Sequence, residues 1–266
     1  THESGMWPDK EPGRELKTDP FSVEVPPYLP DTDEVRQAIA RQYDNIERDD
    51  EVLGRVFQEL EDDGLLQDTI IFHWSDHGEG LPRAKRWLYD RGINIPLIVR
   101  CPDYLGAGIE SDEVVSLIDL APTVLSLCGI DIPAHMQGQP FVGPEAAEER
   151  EVAFAGRDRM DEYYMRLRAA RDKRFKYIRN YHPDRAYFGW LPYRNHHDAM
   201  QALWKAYVDD NLTNEQELLF QDPPVEELYD TENDPWELKN LASDPEYADT
   251  LHRLRREVDA WVEKYD

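Results

Sequence analysis

Asp76 and His77 stand side by side where a short apolar run, Thr69-Ile70-Ile71-Phe72-His73-Trp74, comes to an end, and Gly78 follows them. A carboxylate beside an imidazole offers an oxygen and a nitrogen donor at one point of the chain, and the glycine lets the backbone turn sharply behind them. The run before the pair is rich in β-branched and aromatic residues and reads as a buried strand. Metal and ligand sites in open α/β sheets gather just outside the carboxyl ends of strands, so the place suits chemistry. As a motif the pair is weak; the same residues would serve as a turn cap and a surface histidine. A few positions on, Leu81-Pro82-Arg83-Ala84-Lys85-Arg86-Trp87 gathers three cations in a chain of 56 acidic and 30 basic residues.

Around these residues the 266-residue chain alternates strand and helix. Residues 1–30 are rich in proline and charge and read as a loop. Asp31, Thr32 and Asp33 offer N-caps to a helix with Val35, Ile39, Ile46, Leu53, Val56 and Leu60 at helical spacing, its acidic residues forming a solvated face, and Gly64 supplies the stop. A second apolar strand covers Ile95-Pro96-Leu97-Ile98-Val99, and Asp119-Leu120-Ala121-Pro122-Thr123 starts a further helix with proline in its first turn. This alternation is α/β in character, with strands of the parallel type. Near residue 146 the pattern changes. Residues 151–157, 164–170 and 175–179 read as strands of an antiparallel sheet. Residues 181–224 show no clean periodicity. A closing helix carries Leu251, Leu254, Val258, Trp261 and Val262 on one face. The expected division is a 1–145 α/β portion and a 146–266 α+β subdomain. Only two parallel-type strands precede the division, fewer than a doubly wound sheet holds, and the chain starts at Thr1 without Met or a leader pattern. Both point to a further segment of the sheet lying outside this sequence.

A net charge of −26 argues against a nucleic-acid or anionic-membrane partner, which such a surface repels. With 8 Lys against 22 Arg among its cations, the chain reads as adapted to high salt. No apolar run reaches the ~20 residues that span a bilayer, and the compartment is left open. Cys101 and Cys128 lack metal-ligand spacing and are expected as buried free thiols, since each follows an apolar run.

The run from Asp68 to Glu79 resembles the metal-binding strand of the formylglycine-dependent sulfatases, in the alkaline-phosphatase superfamily. The likeness continues in order through Ile95-Pro96-Leu97-Ile98-Val99, Ile118 to Leu125, Phe175-Lys176-Tyr177-Ile178, Glu227-Leu228-Tyr229-Asp230, Asp234-Pro235-Trp236-Glu237 and Asn240-Leu241-Ala242. The short loop from Gly78 to Lys85 is most similar to the heparan N-sulfatase (sulfamidase) branch. The resemblance implies an alkaline-phosphatase-like α/β sandwich, incomplete on its N-terminal side, with a small antiparallel-sheet-plus-helix subdomain. It implies hydrolysis of sulfate esters or N-sulfates, with a sulfated sugar as partner. It also implies a divalent cation on Asp76 and His77, Lys85 on a sulfate oxygen, and His2 as the histidine that protonates the leaving group. Calcium is the expected metal; the imidazole of His77 leaves manganese open. Arg83 and Arg86 could grip an anion bidentately or lie on the surface. His73 is expected as a core or supporting residue, and His135, His182, His196 and His197 at the surface or substrate rim.

The family's formylglycine arises in a Cys/Ser-x-Pro/Ala-x-Arg motif, and neither Cys101-Pro102-Asp103 nor Cys128-Gly129-Ile130 fits it. The family's paired N-terminal Asp ligands have no match either, since Asp49-Asp50 lies within a helix. The chain by itself is therefore expected to be inactive, with the N-terminal portion of the same protein needed to complete the site. Two other readings stand beside this one: a phosphonate or phosphodiester hydrolase of the same superfamily, and an inactive fragment that binds anions or a partner through an exposed sheet edge.

Overall fold

The computed structural model describes residues 15–160, 163–189 and 191–266. The long helix α1 (Asp33–Asp62) begins where expected: Thr32 accepts the Val35 amide, and Asp33 and Glu34 face the positive end of the helix dipole. Gly64, at φ 70°, follows its end. Only the first turns are covered. Val35, Ala38, Ile39 and Ala40 are buried, whereas Ile46, Val52 and Val56 on the later turns are exposed. The expected solvated acidic face has one exception. Asp44 is buried and accepts the amides of Lys17 and Thr18 and the Thr18 hydroxyl, which pins the incoming chain to the helix.

Strand β1 (Ile71–Trp74) is followed by the single turn α2 (Asp90–Ile93) and strand β2 (Leu97–Arg100). The two strands pair antiparallel, with Ile71 opposite Arg100 and Trp74 opposite Leu97. This corrects the parallel reading. The connection folds back on itself, Gly78 N–H donating to Gly92 O at 2.9 Å, so the chain re-enters beside the point where it left. A short apolar run does not reveal that.

Helix α3 (Leu120–Leu127) follows, ahead of strands β3 (Ala153–Met160), β4 (Tyr163–Arg171) and β5 (Phe175–Asn180). Helices α4 (Pro192–Asn195), α5 (Asp198–Val208) and α6 (Asn214–Glu217) lead to β6 (Glu226–Asp230), and α7 (Ala248–Tyr265) closes the chain. The C-terminal sheet runs β3-β4-β5-β6, antiparallel throughout, as the alternating strands and short turns imply. Helix α7 buries Leu251, Leu254 and Val258 in a cluster with Ala170, Tyr177 and Leu228. A larger core joins Tyr28, Leu29 and the start of α1 to Trp87, Leu88 and Tyr89, to Met165 and Ile178 of the sheet, and to Met200 and Leu203 of α5. Two parts of the sequence thus share one apolar interior.

Cys101 is buried, but Cys128 is exposed, because it sits past the covered face of α3 as its C-cap. Among the described residues no helix is long and apolar enough to cross a membrane.

Candidate functional site

The strand end presents its donors in a defined form. His77 Nδ1 lies 2.7 Å from Gly78 O. A carbonyl can only accept, so Nδ1 carries the proton, and Nε2 is the ring nitrogen open to a cation. That nitrogen lies 3.7 Å from Asp76 Oδ1. Bonds of about 2.0–2.6 Å to a common ion sum to more than this separation, so one cation can touch both. The Asp76 side chain is largely exposed and His77 partly so, and the Ser75 hydroxyl donates to His77 O at 2.6 Å to hold the turn. The donor set therefore fits a divalent ion, but only as part of its shell. Among the described residues no three His, Cys, Asp or Glu side chains gather into a metal site.

Lys85 is brought back to this end by its backbone, its N–H donating to Glu79 O at 2.9 Å. The return is tight. A Cβ on Gly78 would lie 1.7 Å from Arg91 O, and one on Gly92 would lie 2.3 Å from Ala84 O. The glycine after the Asp-His pair is needed for close approach of two backbones, not for a left-handed turn. Left-handed φ instead falls on Arg83 (67°) and Arg86 (80°), where side chains make it unfavourable.

What over-determines that conformation comes from the C-terminal part. Arg83 is buried, its guanidinium donating to Trp236 O at 2.7 Å and Glu237 O at 2.6 Å and lying 3.6 Å over the Tyr89 ring. It does not lie on the surface, and with both terminal nitrogens donating to backbone carbonyls it fastens the loop. Burial opposes its charge, but the facing tyrosines and Glu237 outweigh that and raise its pKa. Glu79 receives Gln42 of α1 on one oxygen, at 3.1 Å, and the Arg91 guanidinium on the other. Beside them Lys176 of β5 is wholly buried, paired with Asp90 Oδ1 and 2.9 Å from Glu237 Oε1, while Asp90 N–H donates to Glu237 Oε2. Burial works to raise the Asp90 carboxyl, yet Lys176 and Arg171 hold it below its ordinary value; for Glu237 burial wins and the pKa rises. The Tyr89, Tyr187 and Tyr229 hydroxyls all donate to the buried Glu227 carboxylate, and Asn180 adds a fourth bond at 2.7 Å.

His2 lies outside the described residues. His73 is half-buried in β1 opposite Ile98. His135 and His196 are exposed, and His182 packs edge-on against Tyr164. His197 is not at the surface: it is buried and caps α5, its ring accepting the Ala199 amide at 3.3 Å. Burial, with Arg41 nearby, pushes its pKa down to about 4. Sequence reasoning did not single out Arg83 as an anchor, because nothing in a row of cations marks the one that turns inward.

Two family models match the sequence: Sulfatase over residues 11–130, and N-sulphoglucosamine sulphohydrolase, C-terminal, over residues 78–216. The second alone takes in more than half of the chain and includes the 78–92 loop, strands β2 to β5 and Lys176. The chain belongs to the sulfatase family. An ulvan-active sulfatase of Formosa agariphila is 46% identical over 90% of the chain and 40% of its own length. Human N-sulphoglucosamine sulphohydrolase is 30% identical over 97% of the chain and 54% of its own length. A structure solved with its substrate D-glucosamine-2-N,6-O-disulfate superposes with a TM-score of 0.62 at 23% identity, over 89% of this chain and 43% of that one, which shows a shared fold. The sulfatase chain here thus spans about half the length of these relatives, or less. Sulfatases use a divalent metal and a formylglycine, and their fold is alkaline-phosphatase-like.

Proposed function

We propose that this chain supplies the cation- and sulfate-binding side of a hydrolase acting on sulfate esters or N-sulfates of a sugar. The observation that supports the reading is the closure of the 78–92 loop, in which the Lys85 N–H meets Glu79 O three residues after Asp76. Asp76 Oδ1 and His77 Nε2 would hold the divalent ion, with Nδ1–H on Gly78 O fixing the imidazole's tautomer and aim. When bound, that ion polarises a sulfate oxygen and offsets charge at the nucleophile. The Lys85 ammonium would neutralise charge gathering on the sulfate in the transition state, and His2 would protonate the leaving oxygen or nitrogen. Residues 1–145 would form the catalytic portion and 146–266 the subdomain that shapes its loop. Calcium is the preferred ion, the remaining ligands being oxygens, with manganese the alternative that the imidazole admits. The strongly acidic composition supports a high-salt setting.

The test is turnover by the full-length gene product carrying formylglycine, assayed on an aryl sulfate, a glucosamine N-sulfate and an aryl phosphonate. Sulfate release is expected, and Lys85→Ala should lower kcat/KM by about 10²–10³-fold, the scale of removing one preorganised donor. Turnover of the phosphonate alone would overturn the reading. The 266-residue chain by itself should turn over none of the three and bind calcium weakly. A large melting shift in millimolar calcium would contradict the incomplete shell.

A further inference from the structure

Arg157 is the odd cation of this molecule. It lies in β3 at the point where the register with β4 shifts, between Arg157 and Arg159, and bulges of this kind re-aim side chains beside functional sites. Its neighbours Gly156, Asp158 and Arg159 are exposed, whereas Arg157 retains 5% exposure. The guanidinium lies 4.2 Å over the Trp87 ring, on the same loop as Lys85 and Arg86. Among the described residues its buried Nε and Nη1 have no hydrogen-bond partner.

Two other buried arginines contrast with it. Arg83 meets two carbonyls, and Arg168 meets Asp158 and Asp266. Burial, and then the positive charge of Arg86, hold the Arg157 pKa down to about 10, and among the described residues the groups that act the other way are the tyrosines Tyr163, Tyr187 and Tyr89. In a chain with a net charge of −26, a desolvated guanidinium whose Nε and Nη1 meet no acceptor among the described residues is an expensive arrangement that an incoming anion would relieve. Trp87, on which it stacks, is two residues from Lys85, so the guanidinium packs on the same short segment of backbone that carries that lysine.

We propose that Arg157 forms a second anion subsite on the Lys85 loop, which takes a further acidic group, a carboxylate or second sulfate, on the same sugar substrate. The subsite rests on the sulfated-sugar reading above and deepens it. A planar guanidinium presents paired donors to a carboxylate or sulfate, and the Trp87 face keeps it in plane.

The test separates binding from turnover. Affinity of the full-length protein for glucosamine-2-N,6-O-disulfate and for glucosamine N-sulfate is measured by titration calorimetry, in wild type, Arg157→Met and Arg157→Lys. Wild type should prefer the doubly sulfated sugar by about 30-fold, within the range of a charged hydrogen bond. Arg157→Met should lose that preference while weakening the monosulfate less than about 3-fold, and Arg157→Lys should restore part of it. Equal affinity of wild type for the two sugars, or a preference that survives Arg157→Met, overturns the subsite whatever the enzyme turns over. A preference that depends on Arg157 in a protein that hydrolyses only phosphonate would instead leave the subsite standing and sink the sulfatase reading. Melting of the 266-residue chain supplies the structural control. Arg157→Met should melt at or above wild type, because it removes an uncompensated charge. A fall of more than about 5 °C, the scale of losing a buried structural anchor, would mark Arg157 as an ordinary brace and overturn the proposal.

Discussion

Gly78→Ala tests whether backbone contact, rather than backbone flexibility, is what the glycine after Asp76-His77 provides. The new methyl would start 1.7 Å from Arg91 O, 2.7 Å from Arg91 C and 2.9 Å from Gly92 Cα. Every atom it meets is backbone, so no side chain can swing aside. Reaching an ordinary contact near 3.4 Å requires the two segments to part by roughly the same 1.7 Å again, which breaks the 2.9 Å Gly78–Gly92 hydrogen bond. Overpacking of this kind costs about 1–3 kcal/mol. An orphaned buried backbone group adds about 1–3 kcal/mol. Together they lower the melting midpoint by roughly 5–15 °C for a chain of this size. The molecule carries its own control. Gly54, in the exposed middle of α1, has nothing within 4 Å of a Cβ, and Gly54→Ala should stabilise by about 0.5–1 kcal/mol. Differential scanning calorimetry of the two variants should show shifts of opposite sign. In the full-length enzyme, Gly78→Ala should also lower kcat/KM by about 10²-fold, since a displacement near 1 Å suffices for that. If Gly78→Ala melts within about 2 °C of wild type, where the scale above puts a loss under ~1 kcal/mol, the close-contact account of the loop is wrong.

Removing the buried ammonium by Lys176→Met leaves Glu237 and Asp90 facing each other and should cost about 3–5 kcal/mol in urea unfolding, part of it recovered in Lys176→Met/Glu237→Gln. Acid titration of stability should show the Arg174–Asp230 pair. The Arg174 guanidinium, helped by Asn233, lowers the Asp230 pKa to about 2, against about 3.9 in an unfolded chain. Its contribution is thus complete above pH ~4 and disappears as the pH falls toward ~2, a slope that Asp230→Asn should remove. Raising salt from low to molar concentration should raise the melting midpoint, since screening relaxes the repulsion within a −26 chain; an unchanged midpoint would remove the support for a high-salt setting.

Much of this architecture is legible because local signals agree with one another. Thr32 with its acidic neighbours and Gly64 bracket α1, and alternating strands with short turns announce β3, β4 and β5. Helix α5 is not legible, because its cap is His197, a residue type that does not advertise a helix start, and its buried face packs into a core gathered from distant parts of the chain. The β1–β2 pairing escapes for a different reason: direction is set by Gly78 meeting Gly92, a contact between residues far apart in sequence. The burial of Arg83, Asp44 and Asp119 escapes likewise. Asp119 reads as a simple helix cap, yet its carboxylate gathers the Ser116 and Gln139 amides and the Arg150 guanidinium. Each of these charged groups turns inward only because distant backbone or an opposite charge waits for it there. Asp76 and His77 are visible as neighbours in the chain; that the Lys85 backbone folds back onto Glu79 depends on two glycines and a buried guanidinium.

That guanidinium has a consequence for anyone who would exchange recognition loops between members of this family. The shape of residues 78–92 is dictated by carbonyls at Trp236 and Glu237 and by an ammonium on β5. A graft that copies the loop's letters without the distant turn and the lysine beneath it would carry the right side chains on the wrong path. The smallest transferable unit is the loop together with the part of the C-terminal sheet that moulds it.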